Sequence, residues 1–413
     1  MRLLLAIHNA YTDHTSGAAH SMRILMQWLR EAGHDVSVLC TARFDAKPPS
    51  NILNHLSEHG LDVRRTAPPK AFARSSRRSQ NLGPGRPRLD FTLHDVPVTM
   101  LWTNGRPNTP ADRFEADQFL FMLSQQFEGA RPDVLLTYGG HPLVYEVMRL
   151  ARERGIRTIF TLRNYGYEDR RCFEHVDHVF TTSPYLTEFY RERIGLRSIG
   201  IDSPIDWSEV EAPEELRRFV TFVNPSLAKG AMVFARLADT LGSRRPDIPL
   251  LVVQSASSAG KLNAIPGLDF RKYPQIMAAP ATPRPADFFA LTRLLLVPSV
   301  FAEPFGRVAA ESLINGIPVL VSNRGALPQT VEEGGVVVPL PDWITPESRE
   351  LPSEEDVRPW LETICDLWDH DDRYEAASAR ARATAARRYD EAIMRAKYLE
   401  YFESLDAAEP LFD

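Results

Sequence analysis

Phe301-Ala302-Glu303-Pro304-Phe305-Gly306-Arg307-Val308-Ala309-Ala310-Glu311-Ser312-Leu313-Ile314-Asn315-Gly316-Ile317-Pro318-Val319-Leu320 is the stretch on which the reading of this chain turns. An apolar strand, Leu294 to Pro298, leads into it. A turn carrying Gly306 is followed by a helical run from Ala309 to Asn315, then by a second apolar strand from Pro318 to Ser322. Strand, turn, helix, strand with continuously apolar strands is the repeating unit of a parallel sheet covered on both faces. Glu303 stands before the turn and Glu311 inside the helix. A helix that starts near Gly306 directs its free N–H groups and positive dipole end into the space that Glu303 borders, so an anion and a sugar hydroxyl could be held side by side there. On spacing alone, two glutamates flanking a helix read as a solvated first turn.

The same alternation runs outward in both directions. Toward the N-terminus of this half lie strands at Phe219 to Val223 and Pro249 to Val253, with a helix at Gly230 to Leu241 between them. The chain opens with a strand at Leu3 to Ile7, a helix at Ala18 to Ala32 and a strand at Val36 to Leu39. Met22, Leu25, Met26 and Leu29 give that helix one apolar face, and Gly33 follows its end. Further strands are expected at Val134 to Thr137, Thr158 to Leu162 and His178 to Thr181, with a helix at Leu143 to Arg154. Periodicity lapses from Asp202 to Ser208, where a linker is expected. From Glu354 the pattern is helical to Leu405. Lys70 to Arg88, with six basic residues among Ser, Gly and Pro, reads as a mobile basic loop.

A chain of 413 residues exceeds one comfortable core, so two domains are expected. Apolar residues at 44% and charged residues at 25% describe a folded protein, and a net charge of −6 argues against nucleic acid as a partner. Cys40, Cys172 and Cys365 lie too far apart for a disulfide framework or a close-spaced zinc site. Met1 to Ile7 is too short for the apolar core of a signal peptide, and no stretch reaches the length of a membrane span. A cytoplasmic protein is expected, and peripheral contact at the inner face of a membrane is a minor reading of the basic loop.

Glu303 and Glu311 with Phe305-Gly306 between them, followed by Asn315-Gly316-Ile317-Pro318-Val319-Leu320-Val321-Ser322, resemble the nucleotide-sugar site of retaining GT-B glycosyltransferases of the family-4 type. Gly325-Ala326-Leu327-Pro328 and Gly334 to Pro339 match in style, with Gln329 where an acidic residue is common. The resemblance implies an α/β fold of two Rossmann-like doubly wound domains facing each other across a cleft. Residues 1–203 would bind acceptor, 204–385 would bind the nucleotide sugar, and 386–413 would be a C-terminal helix crossing back to the first domain. It implies transfer from a UDP- or GDP-sugar, with no obligatory cofactor or metal, to a glycan, lipid or small-molecule acceptor.

Site roles follow by the same resemblance. Glu303 faces the donor sugar and Glu311 the ribose. Lys229, at the turn Asn224-Pro225-Ser226-Leu227-Ala228-Lys229-Gly230, pairs with the diphosphate. Asn224 stands near the position of a common second cation, and Arg307 is the candidate to replace it. Pro304, Phe305 and Gly306 shape the donor turn. Ser16 and Gly17 lie beside phosphates or acceptor, and His141, in Tyr138-Gly139-Gly140-His141, meets the transferred sugar or the acceptor. Arg163, Asn164 and Tyr165 border the crevice as acceptor candidates. A nucleotide-sugar epimerase and a non-catalytic sugar-nucleotide-binding subunit are the competing readings. A nicotinamide dehydrogenase is disfavoured because no full G-x-G-x-x-G is present.

Overall fold

Leu3, Leu4, Leu5 and Ala6 are buried in succession in β1 (Arg2–Ala6), as a central strand with helices on both faces must be. In this computed structural model the described residues are 1–45, 49–69, 72, 85–103, 109–255, 257–265, 268–405 and 410–412. The chain divides into two units, Met1–Asp202 with Arg395–Asp413, and Ser203–Met394.

The first unit adds β2 (Asp35–Thr41), β3 (Arg64–Thr66), β4 (Arg88–Leu93), β5 (Val96–Leu101), β6 (Val134–Thr137), β7 (Arg157–Leu162), β8 (His178–Thr181) and β9 (Ile199–Gly200). Among the described residues they form one sheet in the order β3-β4-β5-β2-β1-β6-β7-β8-β9. The sheet runs parallel from β5 through β2 and β1 to β9. Strand order reverses between β1 and β6, so the loops that follow these two strands share one crevice at the carboxyl edge.

The far edge departs from the expected all-parallel sheet. β3, β4 and β5 pair antiparallel, and β4 and β5 are joined by His94 and Asp95 with φ of 50° and 58°. A two-residue turn with both φ positive matches the twist of a hairpin. Leu89 and Phe91 point inward while Asp90 and Thr92 do not, a half-buried alternation that a search for continuously apolar strands passes over. The expected basic loop is corrected at its end as well. Arg88 opens β4, and the Arg86 backbone donates to the Gln118 side-chain amide at 3.0 Å and accepts from it at 2.6 Å. Lys70, Arg74, Arg77 and Arg78 lie outside the described residues.

The second unit has β10 (Phe219–Val223), β11 (Leu250–Val253), β12 (Ile276–Ala279), β13 (Thr292–Val297), β14 (Val319–Val321) and β15 (Val336–Val337). All its pairs are parallel, in the order β12-β11-β10-β13-β14-β15. Order reverses between β10 and β13. The helical pattern expected from Glu354 to Leu405 is three helices, Glu354–Asp369, Asp371–Arg388 and Glu391–Glu403. Ser353 and Asp356 start the first with a capping box. The chain returns to the first unit at Arg395, where Tyr398 and Tyr401 pack on Phe180 of β8 and the Tyr398 hydroxyl donates to the Asp202 carbonyl at 3.0 Å. No helix among the described residues is long and apolar enough to cross a membrane.

Candidate functional site

In the second unit the loops after β10 and β13 are bonded to each other at the switch point. The Ala228 carbonyl accepts from the backbone of Val300 at 3.0 Å and of Phe301 at 3.4 Å. Gly230 makes this approach possible: its φ is 89°, and a Cβ there would lie 1.9 Å from the Pro298 carbonyl oxygen. Gly230 and Gly306 each precede a helix, Ala231–Arg244 and Arg307–Ile314, and neither helix start is capped by a side chain. The Ala231 N–H donates to the Ser226 carbonyl at 3.1 Å, and with no side-chain cap other N–H groups of each first turn are left for an anion at the carboxyl edge of the sheet.

The two loops bring Lys229 and Glu303 together. Lys229 Nζ lies 2.6 Å from Glu303 Oε1, which also accepts from Ser299 Oγ at 2.6 Å. Glu303 is 4% exposed and Ser299 fully buried. Lys229 also sits 4.9 Å over the Phe301 ring, with its side chain 31% exposed. Glu303 is held from behind by a parallel bridge to Gly325, where a Cβ would stand 2.3 Å from the Glu303 nitrogen. Glu311, on the helix that Gly306 begins, is buried and accepts from Arg307 Nε at 2.6 Å. Burial raises its carboxyl above the ordinary range, and Arg307 only partly offsets this.

The other expected donor residues lie in the same two loops. The Phe305 ring belongs to the apolar core, 6.0 Å from Tyr389, and its carbonyl accepts from Thr330. Pro304 precedes it in the same turn and is half-buried. Asn224 has φ of 59°, a region that Asn tolerates better than Arg does, and its side-chain oxygen is buried without a partner among the described residues. That conformation gives a physical reason for Asn at this position.

In the first unit the loops after β1 and β6 meet at the other switch point. His141 follows β6 through Gly139, φ 111°, and starts the helix Pro142–Glu153 without capping it. Its ring packs edge-on against His8, with centroids 5.2 Å apart. Burial lowers the His141 pKa, the Arg43 charge lowers it further, and Asp45 opposes them, so the imidazole is neutral at pH 7. Ser16 caps the helix Gly17–Glu31 by accepting from the Ala19 backbone at 3.3 Å, and Gly17 is exposed with open space around it. Arg163 and Asn164 follow β7; the Arg163 guanidinium reaches Met22 sulfur, and the Asn164 carbonyl accepts from Tyr190. Tyr165 packs against Phe189 at 4.8 Å.

Sequence reasoning missed a buried polar cluster beside His141. Glu115, fully buried, accepts from Arg43 Nε and Nη2, each at 2.8 Å, and lies 3.1 Å from His8 Nε2. Arg43 Nη1 donates to the Thr109 carbonyl at 2.8 Å and hydroxyl at 2.6 Å. Burial alone would raise the Glu115 pKa, but the hydrogen bonds from Arg43 and His8 win and hold it at about 2. The three residues are 72 and 107 positions apart in pairs, so no local spacing signals them. A Glu on the same helix as Phe119, Leu123 and Phe127 was the available hint.

The depressed value sets a pH dependence. Below its ordinary 4.5, a folded-state value of about 2 means that Glu115 contributes its full stabilisation above about pH 4.5 and loses it as pH falls toward 2. The amount is about 3 kcal/mol. Thermal midpoints measured from pH 6 to 2 are expected to fall less steeply in Glu115→Gln, which starts lower, than in the native protein. Equal slopes would count against the ionised buried carboxylate.

The model of the glycosyl transferase 4-like domain family matches residues 16–203. A D-inositol 3-phosphate glycosyltransferase of Paenarthrobacter aurescens (strain TC1) is 29% identical over 148 residues, which cover 34% of this chain and 33% of that protein. The alignment therefore spans about a third of the relative's length. Among solved structures, sucrose-phosphate synthase from Thermosynechococcus elongatus superposes with a TM-score of 0.67 at 16% identity, covering 98% of this chain and 99% of that one. A glycosyltransferase from Rickettsia africae ESF-5 gives 0.65 at 13% identity over 97% and 98% of the two chains. Anabaena HepE in complex with UDP-glucose gives 0.64 at 15% identity over 98% and 100%. With two α/β parallel-sheet units, each carrying its loops at a switch point, this chain has the GT-B fold, and its residues 16–203 match the glycosyl transferase 4-like domain.

Proposed function

We propose that this protein is a glycosyltransferase that moves a sugar from a nucleotide diphosphate donor to an acceptor with retention of anomeric configuration. The observation that carries the reading is the meeting of Lys229, Glu303 and two uncapped helix starts at one switch point. Lys229 and the N–H groups after Gly230 and Gly306 stabilise the charge that develops on the leaving diphosphate. Glu303 accepts hydrogen bonds from hydroxyls of the donor sugar, and Glu311 serves the ribose, with Arg307 orienting it. The acceptor attacks from the leaving-group face, so no protein carboxylate has to act as nucleophile. In the first unit the neutral His141 donates through one ring nitrogen and accepts through the other, which suits it to a sugar hydroxyl. Arg163 and Asn164 are the acceptor-side candidates.

The test is the thermal midpoint with UDP, GDP, ADP and their glucose and mannose conjugates, in the native protein and in Glu311→Ala. At a ligand concentration 100 times Kd the gain is about 2.7 kcal/mol, roughly 5–10 °C for a unit of this size. One nucleotide class is expected to raise the native midpoint and to lose that effect in the variant. No shift with any of them would sink the donor site. Conversion of the nucleotide sugar with no acceptor present would point to epimerisation instead.

A further inference from the structure

We propose that His8 is a positioning residue for His141, fixed in tautomer and orientation by Glu115 and, through it, by Arg43. The inference rests on the reading in which His141 meets a sugar hydroxyl. It begins with the backbone. His8 stands two residues past β1, beside the strand that delivers His141, and its carbonyl accepts from the Thr41 hydroxyl while the preceding Ile7 N–H donates to the Leu39 carbonyl at 2.9 Å. Only 2% of the residue is exposed.

The side chain is held as firmly. Arg43 grips Glu115 through Nε and Nη2, a fork that fixes the plane of the carboxylate, and Arg43 itself is anchored on Thr109. An ionised carboxylate has no proton to donate, so His8 Nε2 carries the hydrogen in the 3.1 Å contact with Oε1. This leaves Nδ1, which is buried and has no partner among the described residues. An apolar ring would fill the same volume without the cost of an unpartnered nitrogen. The His8 ring stands at 77° to that of His141, so it forms a wall with one fixed face beside the residue assigned to the sugar. A purely structural Arg43–Glu115 pair, tying the helix Arg113–Gly129 to the sheet, would need no histidine there.

The decisive measurement is the long-range 1H–15N spectrum of protein with 15N-labelled imidazoles at pH 7.5. In the native protein His8 is expected in the Nε2–H form, and in His8→Phe, where the ring beside His141 is no longer tethered to Glu115, the His141 ring-nitrogen signals are expected to shift and broaden. A native His8 with bare Nε2, or His141 signals unmoved in His8→Phe, overturns the proposal. The native spectrum decides even if the variant fails to fold. In steady-state kinetics with the donor selected by the midpoint screen, His8→Phe lowers kcat on the order of 10²-fold at unchanged donor KM, with no further loss when added to His141→Ala. Additive losses also overturn it. If His141→Ala leaves turnover intact, the sugar-contact reading fails separately, while the spectra still decide whether His8 positions His141.

Discussion

Lys229→Met lowers kcat by on the order of 10²–10³-fold, the loss expected when a cation poised at a leaving diphosphate is replaced by an apolar chain of similar length. The variant also exposes a second effect that kinetics alone would hide. Glu303 is 4% exposed, and loss of the ammonium leaves its carboxylate with the Ser299 hydroxyl as its remaining side-chain donor among the described residues. That costs about 1–3 kcal/mol of stability. Adding Glu303→Gln removes the unpaired charge, so the double variant recovers the thermal midpoint while turnover stays low. Kinetics and midpoints measured on both variants separate the two roles. Recovery of turnover along with stability would show that Lys229 acts only as the counter-charge of Glu303.

Gly230→Ala is expected to produce the largest loss of stability among single small substitutions in the second unit. The φ of 89° is strained for any residue with a Cβ, and the added carbon would lie 1.9 Å from a backbone oxygen of Pro298, which cannot rotate away. Strain and overpacking together cost about 3 kcal/mol or more, a fall in midpoint of roughly 6–12 °C. To relieve the contact the loop after β10 must move off the loop after β13, which breaks the Val300 to Ala228 hydrogen bond and separates Lys229 from Glu303. Nucleotide binding is therefore expected to weaken even below the midpoint, as isothermal titration would detect. Native-like affinity in a folded Gly230→Ala protein would mean that the approach of the two loops is not what builds the site.

Much of the architecture was legible because parallel strands buried on both faces leave a simple trace. Phe219–Val223 coincides with the expected strand, and the helices Gly17–Glu31 and Arg307–Ile314 begin within two residues of their expected starts. The hairpin of β4 and β5 was not legible by that rule, since its strands are buried on one side only and interleave Asp90 and Thr92 with Leu89 and Phe91. The site divides in the same way. Glu303 and Glu311 stood out because a strand, a glycine turn and a helix locate them within one local segment. Phe305 stood in the same segment, yet its ring turns into the core, because side-chain direction at a turn depends on backbone angles that spacing does not encode.

The alternation of apolar runs with amphipathic helices determined by itself that this protein is a pair of doubly wound α/β units, because period and burial are local properties of a chain. Glycines at 230 and 306 could also be read as helix starts from their immediate neighbours. Which residues meet was decided only by tertiary structure. Strand order, reversing between β10 and β13 and between β1 and β6, sets Lys229 against Glu303 and His8 against His141. The ionised Glu115 depends on the same long-range folding: a carboxylate buried at that depth stays charged because Arg43, 72 residues away, is brought against it.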